Sequence, residues 1–395
     1  MSSLEKLYNL DQDDEPFLQS LIDNRIMESL ILDYKRELPK NNMNLAKHVS
    51  SFANTNGGII IYGIEERNHI PVNLNPLDPN LKEKIENILL TSITPKIPTK
   101  IITIDSTQES SKKYYAIYVP KSSDAPYMLI SNQDNRYYKR VNFSSVPMED
   151  YEVRLVIEKN LKSKRDILSE IENRVVLFYE DLANQEMSGE YLRLASKMDI
   201  VNLKDIDLSK FKSKEYYMNS LFINHSFVNY GKGKIIEYGL YDKNHNISNY
   251  MRNYLSINED GLIEYARLGI MVDNPYSKAK EPNSYYILPD LMGFIYFLRD
   301  FYNELKIISE ILIYIEIYNI RDTVLSSSSN IRFMGEQKHS LRDKWIDYKY
   351  IQTFELNDNY NQIVRFFADR FYENYGYSKC PNLYEEEGKL KYIFK

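Results

Sequence analysis

The sequence predicts an α+β fold: an N-terminal mixed sheet with helices, a helical connector, and a second α+β domain. Three observations predict it. Short runs of strand character, such as residues 30–35 and 59–64, alternate with segments whose apolar residues recur every three or four positions. A long helical pattern over residues 148–184 separates the two halves. The glycines and asparagines fall between these runs, at positions that end one element and begin the next. The division expected is a lead-in over residues 1–20, a domain over 21–150, a connector over 151–184 and a C-terminal domain over 185–395.

Asp11 to Glu15 is acidic and reads as a solvated turn or helix cap. Over residues 30–35, Leu30, Leu32 and Tyr34 alternate with Ile31, Asp33 and Lys35, which predicts a half-buried strand with Asp33 and Lys35 on one polar face. Asn44 then caps a helix carrying Leu45, Val49 and Phe52, and that helix stops at Asn54-Thr55-Asn56-Gly57-Gly58, where residues tolerant of positive φ cluster. The unbroken apolar run of residues 59–64 predicts a fully buried strand ending in Glu65 and Glu66. A helix follows over residues 81–93, terminated by Pro95 and Pro98, then strands over 100–105 and 113–119. Residues 127–141 read as a hairpin with its loop at 131–135. In the second half, strands are predicted within 216–247 and 262–272 and over 311–318, and helices over 290–305, capped by Asp290, and over 357–375.

Composition excludes several classes. At 395 residues, 43% hydrophobic and 27% charged, the chain has enough apolar sequence for real cores. A single cysteine, Cys380, rules out an internal disulfide or a thiolate-rich zinc site, and five scattered histidines offer no paired-ligand spacing. The compartment expected is reducing cytoplasm, with no membrane span. A net charge of −6 argues against a general polyanion binder, although it leaves room for a local basic groove. The 35 tyrosines form no pattern that marks them as base-stacking platforms.

Three carboxylates at the end of a sheet can hold a hard divalent cation, Mg²⁺ or Mn²⁺. Glu28, Asp33 and one of Glu65 or Glu66 are the candidates, since neighbouring strand residues face opposite ways. Lys35 shares a face with Asp33 and is placed to neutralise a phosphate; the alternative is a plain ion pair with Asp33 or Glu37. Arg136, Lys139 and Arg140 with Tyr137 and Tyr138 form a basic-aromatic cluster suited to nucleic-acid backbone contacts, or to guarding an edge strand. The turn at residues 54–58 follows a helix and lacks a Gly-Lys-Ser/Thr ending, so ATP is not expected there. Residues 229–234 read as a basic hairpin loop, and His48 as helix surface.

At these residues the chain resembles a known family. Glu28-Ser29, Asp33-Tyr34-Lys35, the stretch Ser51 to Gly58, the stretch Ile61 to Glu66, Pro126, and the block Arg136 to Met148 resemble the Schlafen core, the module also labelled AlbA-2 or divergent AAA, ATP-binding. The resemblance covers roughly residues 15–160. It implies a metal-dependent endoribonuclease acting on tRNA or rRNA, in which Glu28, Asp33, Lys35 and Glu66 are catalytic and Glu28, Asp33 and Glu66 bind the metal, with Glu65 as the alternative. Asp33 stands where the family usually has glutamate. The basic cluster of Arg136, Tyr138, Lys139 and Arg140 would then meet RNA, tRNA foremost, or DNA. A toxic or antiphage effector with a C-terminal regulatory domain fits that reading. The alternatives are a non-catalytic nucleic-acid-binding transcriptional regulator and an ATP-binding sensor. Mammalian Schlafen cores look like two facing lobes, whereas this chain carries one, so a homodimer is expected, with apolar stretches such as Phe294 to Leu298 available to the interface.

Overall fold

The computed structural model describes residues 6–7, 10–130, 135–174, 189–198, 226–227, 234–242, 250–273, 279–325 and 338–392. The chain divides into two compact units, Met1–Asp166 with Ile308–Glu310, and Ile167–Ile307 with Ile311–Lys395.

The first unit opens with helix α1 (Glu15–Asp23) and strand β1 (Leu32–Lys35). Helix α2 (Asn42–Ala53) leads to β2 (Gly58–Tyr62), which returns parallel to β1 with Asp33 opposite Ile60 and Lys35 opposite Tyr62. A hairpin, β3 (Ile64–Arg67) and β4 (Ile70–Leu74), precedes helix α3 (Leu81–Ser92) and β5 (Ile93–Thr94). Strands β6 (Lys100–Asp105) and β7 (Lys113–Val119) complete a four-stranded sheet in the order β1-β2-β7-β6. Strands β8 (Met128–Leu129), β9 (Arg136–Val141) and β10 (Ser144–Pro147) form a second sheet in the order β10-β9-β8-β5.

One core joins both sheets. Leu45, Val49 and Phe52 on α2 pack with Ile60 and Tyr62 of β2, Ile117 and Val119 of β7, Leu129 of β8 and Ile85 and Leu89 of α3. The cap of α2 is Asn41, whose side chain accepts from Met43 N, so the helix begins three residues before the Asn44 start predicted. Its end is the expected corner, and tertiary contacts show why glycine stands there. At Gly57, with φ +66°, an added Cβ would lie 2.5 Å from Lys121 N; at Gly58, with φ +143°, it would lie 2.4 Å from the Ile31 carbonyl oxygen. Main chain fills the space above these glycines.

Three sequence readings change here. The apolar run does not end at the carboxylates: Gly63, with φ +99°, breaks it, and Glu65 and Glu66 belong to the separate β3–β4 hairpin. Strand β1 is buried on both faces, because Asp33 is covered as completely as Leu32 and Tyr34. Glu15 is buried in place of solvated, with its carboxylate accepting from Ser106 Oγ at 3.0 Å, Thr107 N at 2.7 Å and Tyr114 Oη at 2.8 Å. The loop expected at 131–135 lies, but for Asn135, outside the described residues.

Helix α4 (Asp150–Asn173) begins in the first unit and ends in the second; the rest of the expected connector, residues 175–184, is outside the described residues. The second unit is built on a seven-stranded sheet. Its strands are β11 (Tyr191–Met198), β12 (Ser226–Phe227), β13 (Lys234–Asp242), β14 (Tyr250–Asn258) and β15 (Leu262–Leu268). After the hairpin β16 (Met271–Asp273) and β17 (Lys280–Pro282) and helix α5 (Ser284–Glu304) comes β18 (Glu310–Tyr318). The chain continues through β19 (Val324–Leu325), β20 (Lys338–His339), β21 (Lys344–Gln352), α6 (Glu355–Asp358), α7 (Tyr360–Glu373), β22 (Leu383–Glu386) and β23 (Lys389–Tyr392). The sheet order is β12-β13-β14-β15-β11-β18-β21. Leu192 and Leu194 of β11 pack with Phe294, Phe297 and Leu298 of α5 and Phe367 and Phe371 of α7 in one core.

Phe294, Ile295, Phe297 and Leu298 are therefore core, and only Tyr296 of that stretch reaches solvent, so it offers no dimer surface. Asp290 is not a cap but lies inside α5, buried, where Arg267 Nη2 donates to its Oδ1 at 3.0 Å. The predicted loop at 229–234 falls, except for Lys234, outside the described residues. Cys380 is buried. Among the described residues, no helix is long and apolar enough to cross a membrane.

Candidate functional site

Strand β1 carries two of the site's groups, Asp33 and Lys35, and the segment before it carries a third, Glu28. Tyr34 N donates to Glu28 Oε1 at 2.9 Å, so the main chain of β1 itself orients the Glu28 carboxylate. One position earlier, Asp33 points to the opposite face from Tyr34 and meets two cations. Lys35 Nζ lies 2.7 Å from Asp33 Oδ2 and 3.6 Å from Glu28 Oε1, while Arg140 Nη2 donates to Asp33 Oδ1 at 3.0 Å. Asp33 is 2% exposed and Arg140 4%. Both oxygens of Asp33 are therefore engaged by the protein.

Arg140 reaches this position because the corner after α2 holds β9. Asn54 Nδ2 donates to the carbonyls of Tyr127 and Tyr138 at 2.8 and 2.9 Å, its Oδ1 accepts from Tyr127 N at 2.6 Å, and Thr55 Oγ1 accepts from Arg140 N at 2.9 Å. The guanidinium then lies over the Phe52 ring at 4.2 Å and donates to the Ser29 carbonyl at 3.3 Å. The expectation that Arg140 grips a nucleic-acid backbone from the surface is corrected: it is a buried counter-ion of Asp33. Lys139 pairs with Glu152, Tyr138 is half-buried beneath Lys47 Nζ at 4.9 Å, and Arg136 is exposed.

The hairpin β3–β4 delivers the remaining groups. Glu65 and Glu66 have different partners, and the pairing register of the hairpin shifts between them. Glu65 lies 3.5 Å from Arg67 Nη2 and accepts from Asn73, whereas Glu66 Oε2 accepts from His69 N at 2.7 Å. His69 sits in the two-residue turn Asn68-His69, with φ +52° and +65°, and its Nδ1 is 2.6 Å from Glu28 Oε2. One ligand atom each from Glu28, Glu66 and His69 lie within 4.8 Å of one another. The structure thus brings Glu28 and Glu66 together with His69, and it joins Asp33 to Lys35 and Arg140. Sequence reasoning missed His69; the signal available was the Asn-His step between two short strand runs, directly after Glu66.

The electrostatics follow from burial. Burial, with the Asp33 charge beside it, pushes the Glu28 carboxyl above its usual range, although the Tyr34 N–H, His69 and Lys35 oppose this. For Asp33 burial acts in the same direction, but the Lys35 and Arg140 cations outweigh it and hold that carboxyl below its ordinary value. The two neighbouring acids are driven apart.

His48 is not the surface residue expected. Its Nδ1 is buried without a hydrogen-bond partner, and burial lowers its pKa from 6.5 to about 4. The unfolded chain therefore binds a proton that the folded chain refuses, so the stability His48 contributes is whole above about pH 6.5 and declines as pH falls toward 4. Wild type should lose about 2 kcal/mol more than His48→Phe between pH 7 and 4.5 in urea unfolding. Equal losses in the two proteins would show that His48 does not resist protonation.

Residues 28–149 match the family model described as Schlafen, AlbA_2. Among solved structures, a crystal structure of the DIP2311 protein from Corynebacterium diphtheriae is similar at 21% identity, with a TM-score of 0.24, covering 33% of this chain and 26% of its own length. The chain thus spans about a quarter of that protein. No curated protein matches the chain. A domain of the matched kind points to a function connected with nucleic acid. Residues 28–149 are a Schlafen AlbA_2 domain.

Proposed function

We propose that this domain is a metal-dependent endoribonuclease acting on RNA, tRNA foremost, within a toxic or antiphage effector. The observation that carries the reading is the convergence of Glu28, Glu66 and His69 ligand atoms beside Lys35. The donor set fits a divalent cation: two carboxylate oxygens suit Mg²⁺ or Mn²⁺, and the imidazole nitrogen favours Mn²⁺ between them. Glu28, Glu66 and His69 would hold the ion, whose chemistry when bound is to polarise a phosphate oxygen and acidify a water. Asp33, saturated by Lys35 and Arg140, does not fit as a ligand and instead fixes the position of the Lys35 ammonium. Lys35 keeps part of its side chain in solvent, where a phosphate can approach it. The hydrogen bond from Tyr34 N and the contact with His69 orient Glu28 before any ligand arrives.

One observation favours the rival, a nucleic-acid-binding domain without catalysis: Asp33 is neutralised by two cations, as a structural acid would be. Incubating the purified chain with total tRNA and Mn²⁺ separates the two. Cleavage that EDTA abolishes is the result expected, and binding without cleavage under any divalent ion would favour the regulator. A two-fold homodimer that places two such sites across one RNA is part of the proposal, and light scattering at micromolar concentration reads it.

A further inference from the structure

The acid site is overlooked by two hairpin tips. The β3–β4 loop consists of Asn68 and His69, and the β9–β10 loop of Asn142 and Phe143, with Asn142 at φ +51°. Two-residue loops of this kind select asparagine, glycine or aspartate for the left-handed backbone, and nothing in the turn geometry asks for an aromatic ring. Yet the tips meet ring on ring: the His69 and Phe143 centroids are 3.8 Å apart at an interplanar angle of 15°. Phe143 is 40% exposed, so the ring is not there to fill the core. Met27 and Leu30, on either side of Glu28 in sequence, are also large, apolar and exposed. The edge of the His69 ring faces Glu28 while its flat face carries Phe143. Lys35 supplies a cation on the same site.

We propose that the His69–Phe143 pair is a stacking platform for an unpaired nucleobase, so that the domain takes single-stranded nucleic acid at the Glu28 site. The proposal rests on the nucleic-acid reading given above and names the substrate class for it. An aromatic face accepts any base, because every base has a π-face, but only a base free of its helix can reach it. The flexible strand also lets a phosphate next to that base come down toward Lys35, which a rigid duplex end would not. Selection is therefore for unpaired structure, not for sequence.

The test is binding of fluorescein-labelled oligonucleotides, measured by anisotropy on the full chain in EDTA so that cleavage plays no part. Uniform single strands and a duplex of equal length are compared. Phe143→Ala should weaken single-strand binding roughly 5- to 150-fold, the range of one lost base stack, while leaving duplex binding and the salt slope unchanged. Phe143→Leu, which keeps an apolar cover over His69 but has no π-face, should lose as much. Phe143→Trp should retain affinity, and its fluorescence should be quenched by the strand; the only native tryptophan, Trp345, is buried in the second unit. Full affinity in Phe143→Leu, or equal losses on single strand and duplex, overturns the platform while the nuclease reading stands on its own cleavage assay. Neither binding nor cleavage by wild type overturns the nucleic-acid reading and the platform with it.

Discussion

Glu28→Gln is expected to lower Mn²⁺ affinity at least about 100-fold and to remove RNA cleavage, while leaving the fold intact. The glutamine keeps the shape of the side chain and an oxygen for the Tyr34 N–H, but it removes the one charge shared by Lys35, His69 and the candidate ion. Loss of a group that merely orients a metal ligand costs about 10- to 100-fold, so loss of a ligand charge should lie at or beyond the upper end. Stability should be unchanged or slightly higher. Glu28 is 5% exposed next to the Asp33 carboxylate, and both burial and that neighbour disfavour its ionised form; a neutral group relieves both. Isothermal titration with Mn²⁺, tRNA cleavage and thermal unfolding read the three effects separately. His69→Ala should weaken Mn²⁺ binding likewise, whereas Asp33→Asn should affect it less. A large drop in melting temperature for Glu28→Gln would make Glu28 a structural residue. An order reversed, with Asp33 mattering more than His69 for the ion, would return the ligand set to three carboxylates.

Arg140→Ala should be the most destabilising change at this site, by about 3–5 kcal/mol, because it leaves Asp33 buried with half its compensation. Lys35 remains 2.7 Å from Asp33, but the substitution also removes the donor to the Ser29 carbonyl and the cation above Phe52. Arg140→Lys should rescue little, since an ammonium does not reproduce the flat contact of the guanidinium with the Phe52 ring. Paired with Asp33→Asn the two losses should be strongly less than additive, which a double-mutant cycle in urea measures. Additive losses would mean that the pair does not act as a unit. The salt slope of RNA binding should not respond to Arg140, whose guanidinium is buried; Arg136, exposed on the same strand, is where a slope change of about one is expected.

Elements whose signals are local were legible in the amino-acid order. Residues 100–105 and 113–119 are strands as predicted, the helix read at 81–93 is Leu81–Ser92, and the glycine corner falls where residues tolerant of positive φ cluster. Each of these depends on neighbours one to four residues away, and a single strand of text records them. Which face of β1 is the working face was not legible in that way. Asp33 and Lys35 alternate as a solvated edge would, and only the return of β9, 107 residues later, buries Asp33 under Arg140. Nor did the text separate Glu65 from Glu66, because the register shift and the break at Gly63 come from how the hairpin pairs, not from its composition. His69 enters the site for the same reason: a tight turn swings its ring back onto a carboxylate 41 residues earlier. Local periodicity fixes what each segment becomes, while the pairing of charges across the fold decides which acids are free to act. That pairing is set by complementarity between faces that meet only once the core has formed.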